Sequence, residues 1–178
     1  MFDALTQMDL PWEHVHLFQV DERVAPDGDP ERNATQLTDH LLRHVTIRTT
    51  NVHLMPVTAK SLVRAASRYA ATLGDAPLDI VHLGLGDDGH TASWAPGDAV
   101  IDSPQPVAIS SEYRGRTRMT ITPGVVNGAR SRLMLVSGAA KAAPVAAWVC
   151  DHADLPVQRV RRSGTMLVLD AAAAAQLP

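Results

Sequence analysis

The chain has 178 residues, 46% of them hydrophobic and 20% charged, a balance typical of a folded domain that buries its own core. Its 16 basic and 19 acidic side chains give a formal net charge of -3, which offers no basic surface for nucleic acid. No stretch reaches the roughly 18 consecutive apolar residues of a membrane helix, and the single cysteine, Cys150, has no internal partner. We therefore expect one cytoplasmic domain over residues 1–178, a monomer or weak homo-oligomer without nucleic-acid or membrane partners.

The first half of the chain alternates short apolar strands with amphipathic helices. Brief runs rich in Val, Leu and Ile predict strands over residues 15–20, 52–55 and 78–83. Leucines at helical spacing predict a helix over 33–45 with Asn33 as its N-cap. A second helix is predicted over 58–73, with Thr58 as its cap and Gly74 after its last turn.

The second half continues this alternation. Further apolar runs predict strands over residues 107–110, 118–121, 131–137 and 165–169. A helix is predicted over 139–150, and another over 170–176 with Asp170 as its N-cap. Strands that alternate with helices pack as a mainly parallel sheet with helices on both faces, so the sequence predicts an α/β fold.

A glycine-rich segment, GLGDDGHTAS over residues 84–93, directly follows the strand predicted at 78–83. Glycines let the backbone approach a ligand closely, and open α/β sheets bind ligands at the carboxyl ends of their strands. His90 is a candidate general base because imidazole titrates near neutral pH, and Asp88 is the nearest carboxylate to orient it. A histidine with a purely structural role is the alternative. The spacing fits neither a dinucleotide fingerprint nor a Walker loop.

Two more segments at predicted strand ends carry charge suited to an anionic ligand. Asp21 and Arg23 follow the strand at 15–20, and a guanidinium offers a planar fork of donors for phosphate or carboxylate. Gly138 and Lys141 open a predicted helix, where backbone N–H groups and the lysine attract anions. A surface ion pair and a solvated lysine are the alternatives.

The other histidines do not form a convincing metal site. His40 and His44 lie four residues apart on a predicted helix, a spacing that can hold zinc. No acidic or cysteine ligand accompanies them, so solvated side chains on a helix face are the preferred interpretation, and we expect no metal.

Together these segments resemble the 6-phosphogluconolactonase family, within the glucosamine-6-phosphate isomerase/deaminase superfamily. LGLGDDGHTASWAP over residues 83–96 is similar to the family's LGxGxDGHTASLFP motif. Residues 15–33, 118–129 and 136–141 resemble the family's strand with its DER turn, its RxTxT stretch and its VxGxxK turn. The resemblance implies a Rossmann-like sheet and hydrolysis of 6-phospho-D-glucono-1,5-lactone to 6-phosphogluconate in the oxidative pentose phosphate pathway, with no cofactor and no metal.

The resemblance also implies roles for individual residues. His90 matches the general base that activates water, and Asp88 would orient or tune it. Arg23 and Lys141 match basic positions that hold the substrate and its phosphate. The further residues expected to bind substrate are Asp21, Gly86, Gly89, Thr91 and Arg118. We also expect backbone N–H groups of residues 86–89 to stabilise the oxyanion.

Two other functions stay open. The family pattern begins with a further strand, helix and Ser-Gly-Gly loop, so we expect this chain to lack an N-terminal part of it, and a non-catalytic sugar-phosphate binder or a partnered subunit is one alternative. An isomerase or deaminase of amino-sugar phosphates is the other. Deaminases carry a catalytic Glu five residues after the histidine, where this chain has Ala95, which favours the lactonase.

Overall fold

The computed structural model of the protein describes residues 1–151 and 154–178. Within these ranges the strands are Leu17–Phe18 (β1), Asp21–Arg23 (β2), Val52–His53 (β3), Ile80–Leu83 (β4), Val107–Ile109 (β5), Arg118–Ile121 (β6), Ser131–Val136 (β7) and Thr165–Leu169 (β8). The α-helices are Phe2–Leu5 (α1), Asn33–Leu37 (α2), Leu62–Leu73 (α3), Pro123–Gly128 (α4) and Ala142–Cys150 (α5). The predicted alternation of strands and helices, and with it the α/β class, is confirmed.

Two of the sheets in the described ranges are parallel. β1 pairs with β3, and a larger sheet has the order β4-β7-β8. One face of the larger sheet is buried, with Val81, Leu83 and Met134 no more than 2% exposed. Its other face is open to solvent, since Ile80 is 68% and Met166 is 64% exposed. The solvent-exposed face of this sheet therefore carries apolar side chains.

The third sheet is antiparallel, which the sequence analysis did not predict. β6 lies between β2 and β5, with Arg23 opposite Arg118 and Val107 opposite Ile121. The residues expected to form a turn after the first strand therefore form a strand of their own. Every residue of β6 is buried, which carries Arg118 into the interior beside the end of β2.

Helix α3 begins later than predicted. Its first residue is Leu62, because the N-cap is Ser61 and not Thr58: the Ser61 hydroxyl accepts a hydrogen bond from the Arg64 N–H at 3.4 Å. The predicted C-terminal end is confirmed, since Gly74 follows the helix with a φ of 67°.

Helix α2 is capped by a side chain from a distant strand. Asn33 is its first residue and not its N-cap, because the Glu22 carboxylate accepts hydrogen bonds from the N–H groups of Asn33 and Ala34 at 2.8 Å each. The helix continues as a π-helical turn over Thr38–Leu42. Glu22 is fully buried, and its Oε2 lies 2.9 Å from Nε of Arg32. This carboxylate ties β2 to α2.

The last residues, 170–176, form successive turns instead of the predicted helix. Asp170 does cap them, because it accepts the Ala173 N–H at 2.7 Å. It also accepts the Gly138 N–H at 3.0 Å, so the carboxylate joins this segment to the turn after β7. No helix in the described ranges is both long enough and apolar enough to cross a membrane.

Candidate active site

The loop after β4 depends on two glycines. A Cβ added at Gly86 would lie 1.9 Å from Nδ1 of His90, so the imidazole occupies the space that a side chain would need. Gly89 has a φ of 81°, and a Cβ there would lie 2.8 Å from the Leu155 side chain. The two positions need glycine for different reasons. Gly86 is required by the close approach of His90, and Gly89 by its left-handed backbone conformation.

The N–H groups of these glycines are occupied within the loop. Gly86 donates to the carbonyl of His90 at 2.8 Å, and Gly89 donates to the carbonyl of Gly86 at 3.2 Å. Both groups therefore already have acceptors in this structure, and oxyanion stabilisation by the N–H groups of residues 86–89 stays a prediction. The glycines hold the loop in the shape that seats His90.

His90 and Asp88 are in direct contact. Nδ1 of His90 lies 2.6 Å from Oδ1 of Asp88, and the backbone N–H of His90 donates to the same oxygen at 3.2 Å. His90 also lines a cleft of about 1080 Å³. A carboxylate that accepts the Nδ1 proton leaves Nε2 as the proton acceptor of the neutral ring. The pair can therefore take a proton from a water molecule bound in the cleft.

Tyr113 completes this pair and was missed by the sequence analysis. Its hydroxyl donates to Oδ2 of Asp88, and its ring meets the His90 ring edge-on with centroids 5.4 Å apart. It stands at the base of a two-residue turn, where Arg114 and Gly115 have φ values of 51° and 76°. These angles are those of a type I′ hairpin, for which glycine at the second turn position is the available sequence signal.

The contacts among these side chains shift the pKa values of Asp88 and Tyr113 in opposite directions. Partial burial alone would raise the pKa of Asp88, but hydrogen bonds from Tyr113 and His90 outweigh it and hold that pKa far below its ordinary value. Burial and the same hydrogen bond raise the pKa of Tyr113. Asp88 is therefore a carboxylate and Tyr113 a neutral phenol over the whole neutral range.

The cleft also brings the predicted basic residues together with His90, since Arg23, Arg118 and Lys141 all line it. Arg118 is only 7% exposed, and in the described part of the chain its Nε has no hydrogen-bond partner and its guanidinium forms no ion pair. Burial lowers the pKa of Arg118, and the positive charge of Arg23 lowers it further. A buried cation without a partner is costly, so this position suits an anionic ligand.

A polar chain of contacts holds Arg23 and Asp21. Nη1 of Arg23 donates to Oδ1 of Asn33 at 2.9 Å, and Nδ2 of Asn33 donates to Oδ1 of Asp21 at 3.0 Å. The Ser93 hydroxyl donates to the other oxygen of Asp21 at 2.5 Å. Burial raises the pKa of Asp21, although the Ser93 hydrogen bond and nearby Arg23 oppose the change. Asn33 and Ser93 therefore position the ligand-facing side of β2.

Thr91 and Lys141 occupy different settings. The Thr91 hydroxyl donates to the carbonyl of Gly84 at 2.8 Å, and this hydrogen bond closes the base of the glycine loop. Thr91 also lines the cleft. Lys141 is half-buried and ends a 3-10 turn after Gly138, whose φ is 95°. Substrate contact by either residue stays a prediction.

One group of side chains has the spacing of a metal site. Asp87, Asp88 and His90 each offer a ligand atom, and these atoms lie within 4.8 Å of one another. Asp87 is bound by Nη2 of Arg114 at 2.6 Å, while Asp88 is held by His90 and Tyr113. A metal ion here would have to displace these contacts.

The fold and the site define a class of α/β protein in which a histidine–carboxylate pair at the end of a parallel strand lies beside a cleft lined by basic side chains. Residues 1–169 match the sequence model of the family described as glucosamine-6-phosphate isomerases/6-phosphogluconolactonase. The chain belongs to this family.

Individual relatives agree with this assignment. The chain is 37% identical to the 6-phosphogluconolactonase of Mycobacterium tuberculosis over 187 residues, which covers 95% of this chain and 76% of the relative. It is 38% identical over 142 residues to the GDH/6PGL endoplasmic bifunctional protein of Oryctolagus cuniculus, covering 74% of this chain but 18% of that protein. The chain thus spans less than a fifth of the bifunctional relative.

A solved structure shares the fold. The crystal structure of 6-phosphogluconolactonase from Leishmania guyanensis superposes with a TM-score of 0.82 at 26% sequence identity, covering 97% of this chain and 80% of that one. The predicted family and the Rossmann-like α/β class are confirmed.

Proposed function

We propose that this chain hydrolyses 6-phospho-D-glucono-1,5-lactone to 6-phosphogluconate, the lactone-opening step of the oxidative pentose phosphate pathway. The observation that carries the proposal is the cleft lined by both His90, which Asp88 contacts, and the buried Arg118, whose Nε has no hydrogen-bond partner among the described residues. A base and a buried cation in one cleft are what hydrolysis of an anionic ester requires. The named lactonases among the relatives support the same reaction.

The reaction follows from this arrangement. Nε2 of His90 takes a proton from water, whose oxygen attacks the lactone carbonyl carbon and forms a tetrahedral oxyanion. Asp88 stabilises the imidazolium through its contact with Nδ1. When the intermediate collapses, the bond between the carbonyl carbon and the ring oxygen breaks. The imidazolium returns its proton to that oxygen, so lactone and water become one hydroxy acid with no cofactor or metal step.

The anionic parts of the substrate and intermediate are assigned to the basic residues. Arg118 and Arg23 lie on paired strands with opposed backbone positions, and Lys141 lines the same cleft. Arginine binds phosphate through two parallel hydrogen bonds, whereas lysine acts as a point charge. We therefore assign the phosphate to the arginine pair and a substrate oxygen to Lys141.

The deaminase alternative lacks a group that it needs. The residue five positions after His90 is Ala95, which is buried and apolar, so no carboxylate is supplied there. Asp21 contacts this segment through Ser93, but its carboxylate is engaged by Ser93 and Asn33. Nothing at this position favours ring opening of an amino sugar.

Three substrates test the proposal on the purified chain, each with its spontaneous rate subtracted. We expect acceleration of phosphorylated lactone hydrolysis, a KM at least about tenfold higher for unphosphorylated gluconolactone, and no ammonia from glucosamine 6-phosphate. Ammonia release would support the deaminase instead. Binding of 6-phosphogluconate in a calorimeter without any turnover of the lactone would identify a non-catalytic binder.

The remaining features of the proposal concern location and assembly. A cytoplasmic location is supported by the single free thiol, Cys150, which is half-buried at the end of α5. The proposed partner is the sugar-phosphate lactone alone, with a monomer or weak homo-oligomer as the assembly. Sedimentation at several concentrations measures that state directly.

A further inference from the structure

Tyr113 is held against the histidine pair by more than packing. It is half-buried on the hairpin between β5 and β6, about two dozen residues along the chain from the glycine loop it contacts. Its hydroxyl donates to Asp88. The hydroxyl oxygen of Tyr113 also lies 3.4 Å from Nδ1 of His90. A tyrosine whose ring only filled space would not direct its hydroxyl at a carboxylate that already orients a histidine.

The hairpin is fixed to the glycine loop at two neighbouring carboxylates. Next to the Tyr113 contact with Asp88, the Arg114 guanidinium donates to Asp87 at 2.6 Å. The turn is itself closed by hydrogen bonds in both directions between Tyr113 and Arg116, of 3.0 and 3.3 Å. These contacts set the position of the phenol hydroxyl relative to the loop.

The Tyr113 ring also contacts Arg118, the buried cation of the cleft. The guanidinium carbon of Arg118 lies 5.2 Å from the ring centroid, within the range of a cation–π contact. One side chain therefore touches both the proton-transfer pair, through its hydroxyl and ring edge, and the anion-binding arginine, through its ring.

We propose that Tyr113 is a positioning residue for lactone hydrolysis: its hydroxyl fixes the Asp88 carboxylate so that His90 keeps its Nδ1 proton and presents Nε2 to the cleft. This inference rests on the proposed function. The hydroxyl holds Oδ2 of Asp88, which leaves Oδ1 aimed at Nδ1 of His90. Without the hydroxyl, Oδ2 of Asp88 loses this donor and the carboxylate is held through Oδ1, so the imidazole can more easily adopt the other tautomer or turn away from the substrate.

Two substitutions separate the two contacts. Tyr113→Phe removes the hydroxyl and keeps the ring, so we expect kcat to fall about ten- to a hundredfold, the effect of losing one hydrogen bond to a charged group, with KM unchanged. Tyr113→Leu also removes the ring, so KM should rise in addition. Tyr69→Phe is the matched control, because Tyr69 is the chain's other tyrosine and its hydroxyl donates to the backbone of Gln19, so kcat should not change.

A double-mutant cycle shows whether Tyr113 acts through Asp88. Tyr113→Phe should have no further effect on kcat in the Asp88→Asn background, because the carboxylate it positions is gone. Equal losses in both backgrounds would overturn the positioning role. So would an unchanged kcat for Tyr113→Phe in an active wild-type enzyme.

Nitrogen NMR of the His90 ring gives a readout that does not depend on turnover. The wild type should show a protonated Nδ1 at neutral pH, and Tyr113→Phe should shift His90 toward a mixture of tautomers while Tyr69→Phe does not. If the wild type fails to hydrolyse the lactone, the proposed function fails, and this spectrum still tests the positioning of His90. An identical His90 spectrum in Tyr113→Phe would overturn the inference.

Discussion

Replacement of Arg118 by Met should stabilise the protein and weaken its substrate binding. The side chain is 7% exposed, and within the described residues Nε lacks a partner and the guanidinium has no counter-ion. Exchange of a poorly compensated buried charge for an apolar side chain of similar length typically gains about 1 kcal/mol or more. The Asp21 carboxylate keeps two hydrogen-bond donors after this substitution, because Ser93 and Asn33 both donate to it.

Arg118→Met should also weaken the binding of the substrate. An arginine that holds a phosphate through two charge-assisted hydrogen bonds contributes about 3 kcal/mol, so Arg118→Met should raise KM roughly a hundredfold. If the contact is equally strong in ground and transition states, kcat stays unchanged. The expected stabilisation of about 1 kcal/mol corresponds to a Tm rise of roughly 2–4 °C for a chain of this size.

Thermal unfolding with and without 6-phosphogluconate, together with initial rates, measures both effects. The product should raise the Tm of the wild type by mass action and leave that of Arg118→Met almost unchanged. Arg118→Lys serves as the control, because it keeps the charge and loses the two-pronged geometry. A lower Tm for Arg118→Met with an unchanged KM would refute the reasoning, since the guanidinium would then be a satisfied structural group.

Other substitutions test separate parts of the account. Gly86→Ala should lower kcat about a hundredfold or more, because its Cβ would lie 1.9 Å from Nδ1 of His90. Gly84→Ala is the control, because a Cβ there meets open space, and its rates should be unchanged. Circular dichroism of both variants checks that they fold. Glu22→Gln should lower the free energy of unfolding by about 3 kcal/mol in urea titrations at pH 7, since Arg32 loses its buried partner. Burial alone would raise the pKa of Glu22, but hydrogen bonds from Gln19, Arg32 and backbone N–H groups lower it, so its stabilisation is full above pH 4.5 and is lost as the pH falls further. Urea titrations from pH 6 to 3 should therefore show a shallower acid loss for Glu22→Gln, and an unchanged slope would contradict the assignment.

Local patterns were sufficient for the parallel strands and for the glycine loop. The runs at β4, β7 and β8 are apolar enough to specify strands, and the helical segments between them favour parallel pairing. The loop residues are adjacent in sequence, so the contact between His90 and Asp88 was accessible from spacing alone.

Contacts between distant segments were not accessible in this way. Glu22, which lies on β2, caps α2. Asn33 has the residue type of an N-cap, but its side chain instead holds Arg23 and Asp21. The antiparallel sheet was missed because β2 is only three residues long and all three residues are charged. A charged segment this short, directly after a predicted strand, is typical of a turn, and only its pairing with β6 identifies it as a strand.

Tyr113 shows the same limit within the site. Its neighbours in sequence are polar and exposed, so nothing local marks it as functional. Only the hairpin closed by Arg114 and Gly115 carries its hydroxyl to Asp88. Gly115 at the second turn position is a hairpin signal, but pairing β5 with β6 from sequence would still leave the contact between Tyr113 and the glycine loop unspecified.

The most direct test of the central claim compares hydrolysis of freshly prepared 6-phosphogluconolactone by the wild type and by His90→Gln. Glutamine is close in size to the imidazole and cannot act as a general base. The wild type should accelerate hydrolysis above the spontaneous rate, and His90→Gln should lose about two to four orders of magnitude in kcat with its KM retained. Equal rates in the two proteins would contradict the claim that His90 activates the attacking water.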